Sequence, residues 1–96
     1  MKLVKPEDKP KTTKQQAIEI LEFLNDKAAK NFRVVDVNIN FIKARLESGI
    51  SIEDLKSIIA MKVEEANSGD YDRKWLRPST LFNREKCESY FGELGG

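Results

Sequence analysis

The residues best equipped for chemistry stand together in the stretch Arg73-Lys74-Trp75-Leu76-Arg77-Pro78. Basic groups interleaved with an aromatic ring can hold a single-stranded nucleic-acid backbone while a base stacks on the indole. The same residues admit a structural reading, in which Trp75 and Leu76 plug the core and Arg73, Lys74 and Arg77 pair with acids of a preceding helix. The arginines could bind phosphate in either case. Arg84 extends the positive cluster, and Arg33, Lys43 and Arg45 add charge earlier in the chain. Lys43 and Arg45 differ by two positions, so they do not share one helical face closely, and a solvated surface accounts for them adequately.

Catalytic groups are scarce. The chain has no histidine, which removes the commonest general acid–base side chain. It has one cysteine, Cys87, and neither a glycine-rich phosphate loop nor metal-ligand spacing. Lys86 beside Cys87 could lower the thiol's pKa slightly, but a place on an amphipathic helix favours a structural thiol. Glu64 and Glu65 are neighbours and diverge by about 100° on a helix rather than converging on one substrate. The expectation is a protein that binds and does not catalyse, without cofactor or metal.

Composition bounds the rest. A chain of 96 residues makes one domain with a thin core. Its 17 basic and 16 acidic residues nearly cancel, so global charge announces no partner. Their distribution is zoned: the stretch 47–72 holds seven acids against Lys56 and Lys62, while 73–86 holds five basic residues against Glu85 alone. The single thiol excludes an intramolecular disulfide and suits a reducing compartment. No apolar run approaches the roughly 20 residues needed to span a bilayer, and the lysine-rich N-terminus lacks the apolar stretch of a signal peptide. The expected place is the cytoplasm, with no membrane partner.

Four helices are expected to position these groups. Residues 1–11, with two prolines and many charges, read as a disordered lead-in or the tail of a linker, leaving 12–94 as a single helical domain. A first helix starts at Thr12 or Thr13, with Gln16 three residues after Thr13 as a capping box wants. Ala17, Ile18, Leu21, Leu24 and Ala28 give it an apolar face. Lys30 to Arg33 read as a connection anchored by Phe32. Asp36 is a candidate N-cap for a second helix carrying Ile39, Ile42 and Leu46, with Gly49 as its C′ residue. Ser51 then caps a third helix with Ile52, Leu55, Ile58, Ile59 and Val63 inward, fading at Asn67-Ser68-Gly69. Residues 69–78 show no periodicity, yet Tyr71 and Trp75 carry too much aromatic surface for a solvated loop, so the segment should pack back across the helices. Ser79 would cap a fourth helix, contributing Leu81, Phe82, Tyr90, Phe91 and Leu94. The fold class is all-α, a small bundle of about four helices.

Helices two and three have the length and glycine turn of a helix-turn-helix. The exposed positions of helix three include Glu53, Asp54, Glu64 and Glu65, which would repel phosphates, so a plain αα-hairpin is the better reading. Those four acids are instead the candidate surface for a basic protein partner, in an interaction module or a small inhibitor that makes no nucleic-acid contact. A homo-oligomer is also open, because a thin core can hide an apolar face in a dimer.

Three segments resemble a conserved C-terminal domain of phage replication proteins of Gram-positive hosts. They are Ile20-Leu21-Glu22-Phe23-Leu24-Asn25 with Asn31-Phe32-Arg33, then Ile42-Lys43-Ala44-Arg45-Leu46 with Gly49, then Trp75-Leu76-Arg77-Pro78-Ser79-Thr80-Leu81-Phe82 with Tyr90-Phe91. The last is the most specific. In that family the domain commonly follows a winged-helix-like or DnaD-like region in replisome organisers and replication initiators. The resemblance implies a role in phage DNA replication inside a bacterial host, through contacts with DNA, with a helicase or helicase loader, or with both. It carries over no catalytic residues. An origin-reading region is not among the residues at hand, so an excised domain and a naturally short phage protein are both expected possibilities. Arg77 is singled out within the closing motif, because Pro78, Ser79 and Leu81-Phe82 have fold reasons of their own.

Overall fold

A computed structural model describes residues 12–95; the expected lead-in at 1–11 lies outside the described residues. Helix α1 spans Thr13–Ala28, α2 Asp36–Glu47 and α3 Ile52–Asn67. A 3₁₀ turn at Arg73–Trp75 follows, then α4 at Pro78–Leu81 and α5 at Arg84–Gly95. No strand occurs among the described residues. The all-α expectation holds, with four helices of more than two turns and one single-turn helix.

Of the two expected starts of α1 the structure takes Thr12, so the capping box pairs it with Gln15 rather than Thr13 with Gln16. Thr12 is the N-cap: its hydroxyl accepts from the Gln15 amide at 3.1 Å, and its own amide donates to Gln15 Oε1 at 3.1 Å. Two of the orphan donors of the first turn are thereby satisfied. Ala17, Ile20, Leu21, Leu24 and Ala28 line the buried face, a spacing of three and four that keeps them on one side of the helix. Ala29 ends the helix at φ 56°, a left-handed conformation that usually falls to glycine.

Asn25 then fixes the connection to α2. Its side-chain amide donates to the Phe32 carbonyl at 3.0 Å and accepts from the Phe32 amide at 2.8 Å. Asp36 is not the cap of α2. Val35 occupies that position without a side-chain hydrogen bond, and Asp36 sits in the first turn, where its charge favours the helix dipole. Gly49, at φ 109°, follows the Ser48 C-cap as the spacing predicts. Ser51 caps α3 by accepting from the Asp54 amide at 3.1 Å.

Packing is organised around α1, which lies against both α2 and α3, while α5 covers α3. Leu55, Ile58, Ile59, Val63 and Ala66 form the inner face of α3. Leu76, Leu81, Phe82 and Cys87 close the far side of the core. Each fully buried Leu, Ile or Phe contributes roughly 1.5–3 kcal/mol against the conformational entropy lost in ordering it.

The expected fourth helix is two helices. Arg77 is the N-cap of α4 and Pro78 its first residue, so neither Ser79 nor Thr80 caps it. After Phe82 the chain leaves helical geometry, and Asn83 restarts it. The Asn83 side chain accepts from the amides of Glu85 and Lys86 at 3.0 and 3.2 Å, and its carbonyl accepts from the Cys87 amide at 2.8 Å.

Candidate functional site

Residues 70–77 do pack back across the helices, and the 3₁₀ turn decides which way each side chain faces. Asp72 caps the turn by accepting from the Lys74 amide at 3.0 Å. Leu76 then enters the core, while Trp75 stays 37% exposed. The plug expected of both residues is made by Leu76 alone. The Lys74 ammonium and the Arg77 guanidinium each lie 5.0 Å from the Trp75 ring centroid, within cation–π range.

None of the three neighbouring cations pairs with an acid of α3. The Arg73 guanidinium donates to Asn67 Oδ1 at 3.0 Å and to the Ala28 carbonyl at 2.8 Å. Arg73 thus ties the turn to the C-terminal ends of α3 and α1, where carbonyls are unsatisfied and positive charge is favoured. Lys74 is 3.7 Å from Asp72 Oδ2, a solvent-exposed pair of small energetic weight. Arg77 donates from Nε to Thr80 Oγ1 at 3.0 Å, which leaves its outer face on the indole. A cleft of about 390 Å³ opens beside the ring, lined by Asp70, Tyr71, Asp72, Trp75, Thr80, Lys86 and Tyr90.

The other predicted cations do not join this cluster. Arg45 and Arg84 line a second groove between α2 and the start of α5. Arg33 is exposed in the connection before α2, and Lys43 is half-buried on α2. The four candidate acids divide as well. Glu53 and Asp54 occupy the first turn of α3, and Glu64 and Glu65 lie near its other end. Eleven residues separate the pairs, about 16 Å of helix. Glu53 and Glu64 are exposed, whereas Glu65 is committed to a partner.

That partner is Lys62, which charge counting treats as one more surface lysine. It is buried, with 4% of its surface exposed. Its ammonium donates to Glu65 Oε1 at 3.0 Å and Glu93 Oε1 at 3.1 Å, and lies 4.2 Å from the Tyr90 ring centroid and 5.2 Å from that of Tyr71. The two tyrosine hydroxyls are 3.0 Å apart and the rings meet edge to face at 82°. Burial alone would lower the lysine pKa; the two carboxylates outweigh it and hold the ammonium above its usual value. Burial and the Tyr90 hydroxyl push the Tyr71 phenol up. The signal was present in the sequence: Lys62 falls four residues after Ile58 and three after Ile59, inside the apolar stripe of α3.

Cys87 is fully buried, and burial pushes its thiol up to about 11, against a smaller opposing effect of the Arg45 charge. The flanking Lys86 does not activate it. No group of three or more carboxylates or thiols among the described residues is placed to hold a metal ion. No helix among them is long and apolar enough to cross a membrane.

The pattern of a buried Leu76 and Pro78, a buried Leu81-Phe82 pair and an exposed indole is that of a compact helical domain presenting one polar-aromatic edge. Residues 20–92 match the family described as the conserved phage C-terminus, and the chain belongs to that family. The match takes in the Asn25–Phe32 clamp, the Lys62 cluster other than Glu93, and the whole Trp75 edge. A search of curated proteins and a search of solved structures each returned no match.

Proposed function

We propose that this domain is a non-catalytic accessory binding domain of a phage DNA-replication protein, and that it contacts single-stranded DNA through the Trp75 edge. The observation that carries the reading is an exposed indole with two cations, Lys74 and Arg77, each 5.0 Å from its centroid. A single-stranded nucleic acid offers both a flat base for the ring and phosphates for the cations, and it leaves no base pair to be broken. Arg73, which donates to Asn67 Oδ1 and to the Ala28 carbonyl, holds the turn in place. The phage family supports a role in the phage life cycle; the replication setting, with a helicase or helicase loader as a further partner, is what the resemblance of the three segments implies.

Fluorescence anisotropy of labelled single-stranded and duplex DNA at two salt concentrations tests the reading. The single strand should bind more tightly, with affinity falling as salt rises. Trp75→Ala should cost about five-fold or more, in line with roughly 1–3 kcal/mol per stacked base, and Arg77→Ala should flatten the salt dependence. An affinity absent at low salt, or indifferent to both substitutions, would sink it.

A further inference from the structure

A groove separate from the Trp75 edge lies between α2 and the start of α5. It encloses about 460 Å³ and shares no lining residue with the cleft beside Trp75. Its walls are Val37, Phe41, Ala44 and Phe82, with Arg45 and Arg84 at the rim. Val37 is 63% exposed, more than any other large apolar side chain among the described residues. Covering a β-branched apolar side chain this open to water is favourable.

The charged residues that line this groove are of one sign. No carboxylate lines the groove. Neither Arg45 nor Arg84 makes an ion pair with any described residue, and Arg45 Nε is buried without a hydrogen-bond acceptor. A carboxylate docked in the groove would give the two guanidinium groups the charged partner that the described residues do not supply. The first turn of α5 also opens here, adding the positive end of a twelve-residue helix.

We propose that this groove docks a short acidic segment of a protein partner, one that places a Leu, Ile or Phe side chain on Val37 and Phe41 while an Asp or Glu carboxylate pairs with Arg45 and Arg84. A protein segment fits better than a nucleic acid. Phe82 is buried and Phe41 half-buried, so no aromatic face is free to stack a base, and the exposed Val37 calls for an apolar side chain. The partner surface is thereby separate from the surface proposed for DNA, and one domain could join the two.

Panning a random dodecapeptide display library on the whole chain tests this. The enriched sequences should pair Asp or Glu with a large apolar residue. A synthetic peptide of that consensus should bind the wild-type chain, and Arg84→Glu and Val37→Glu should each weaken it by about ten-fold or more. Both side chains are exposed, so both variants should keep the wild-type circular dichroism spectrum. No enrichment, a basic or charge-free consensus, or binding indifferent to both substitutions would overturn the proposal. So would displacement of the peptide by oligothymidylate, which would make the groove a nucleic-acid surface. Self-association of the chain that Val37→Glu abolishes would overturn it too, by assigning the groove to a second copy. None of these outcomes depends on Trp75, so this proposal and the DNA reading fail independently.

Discussion

Lys62 illustrates how one side chain can change role once its surroundings are known. A lysine among acids invites a surface reading, but here the ammonium is enclosed by Tyr71, Tyr90, Glu65 and Glu93 and joins α3 to α5. Both carboxylates keep substantial contact with water, so they can rehydrate when the cation is removed. Lys62→Met should therefore stay within about 1.5 kcal/mol of wild type, whereas Lys62→Ala, which also leaves a cavity between the tyrosines, should lose about 2–4 kcal/mol. Urea denaturation measures both; equal losses would contradict the account. Cys87 gives a test with pH. Its folded pKa is raised from 9.0 to about 11, so the neutral thiol contributes stability that is complete below pH 9 and disappears as pH rises through 11. The stability difference between wild type and Cys87→Ala should shrink by about 2–3 kcal/mol across that window. A difference independent of pH would show that the thiol is not buried as described.

At the level of elements, the first turn and first connection are held by specific polar contacts. Asn25 bridges the amide and carbonyl of Phe32, so Asn25→Ala should cost about 1–3 kcal/mol by leaving both backbone groups half-buried and unpaired. Ala29→Gly, four residues on, should instead stabilise the chain by about 0.5–1 kcal/mol, since φ 56° suits glycine. Thermal melts of the two variants should shift in opposite directions. Helices α1 to α3 were legible in the sequence because apolar spacing, Gly49 after α2 and Ser51 before α3 mark them, although the capping box of α1 and the N-cap of α2 each fall one residue earlier than the pattern suggests. The split after α4 was not. Phe82 continues the apolar stripe, so periodicity runs through the break, and only the double acceptance by Asn83 marks the restart. The site was legible in part for similar reasons. Trp75 and its cations are adjacent in sequence, and their grouping survives folding. The Tyr71–Tyr90 contact joins residues nineteen apart, and the Arg45–Arg84 groove joins α2 to α5, so neither could be read from local pattern. Leu76 and Trp75 were also inseparable until the 3₁₀ turn sent them opposite ways.

For the molecule as a whole, the fold turns a nearly neutral chain into surfaces of distinct character. The Trp75 edge presents an aromatic ring beside two cations, the α2–α5 groove presents apolar surface with two arginines that make no ion pair among the described residues, and α3 presents Glu53 and Glu64 to solvent. The chain that carries them belongs to the conserved phage C-terminus family. The central claim is that the Trp75 edge holds a single strand, and the chain's only tryptophan reports on it directly. The measurement is a titration with oligothymidylate followed by intrinsic fluorescence across a range of salt concentrations. Stacking of a base on the ring should quench the emission, and two or three phosphate contacts should give a slope of log affinity against log salt of about −1.4 to −2.1. Emission unchanged at saturating oligothymidylate, or a slope near zero, would contradict it.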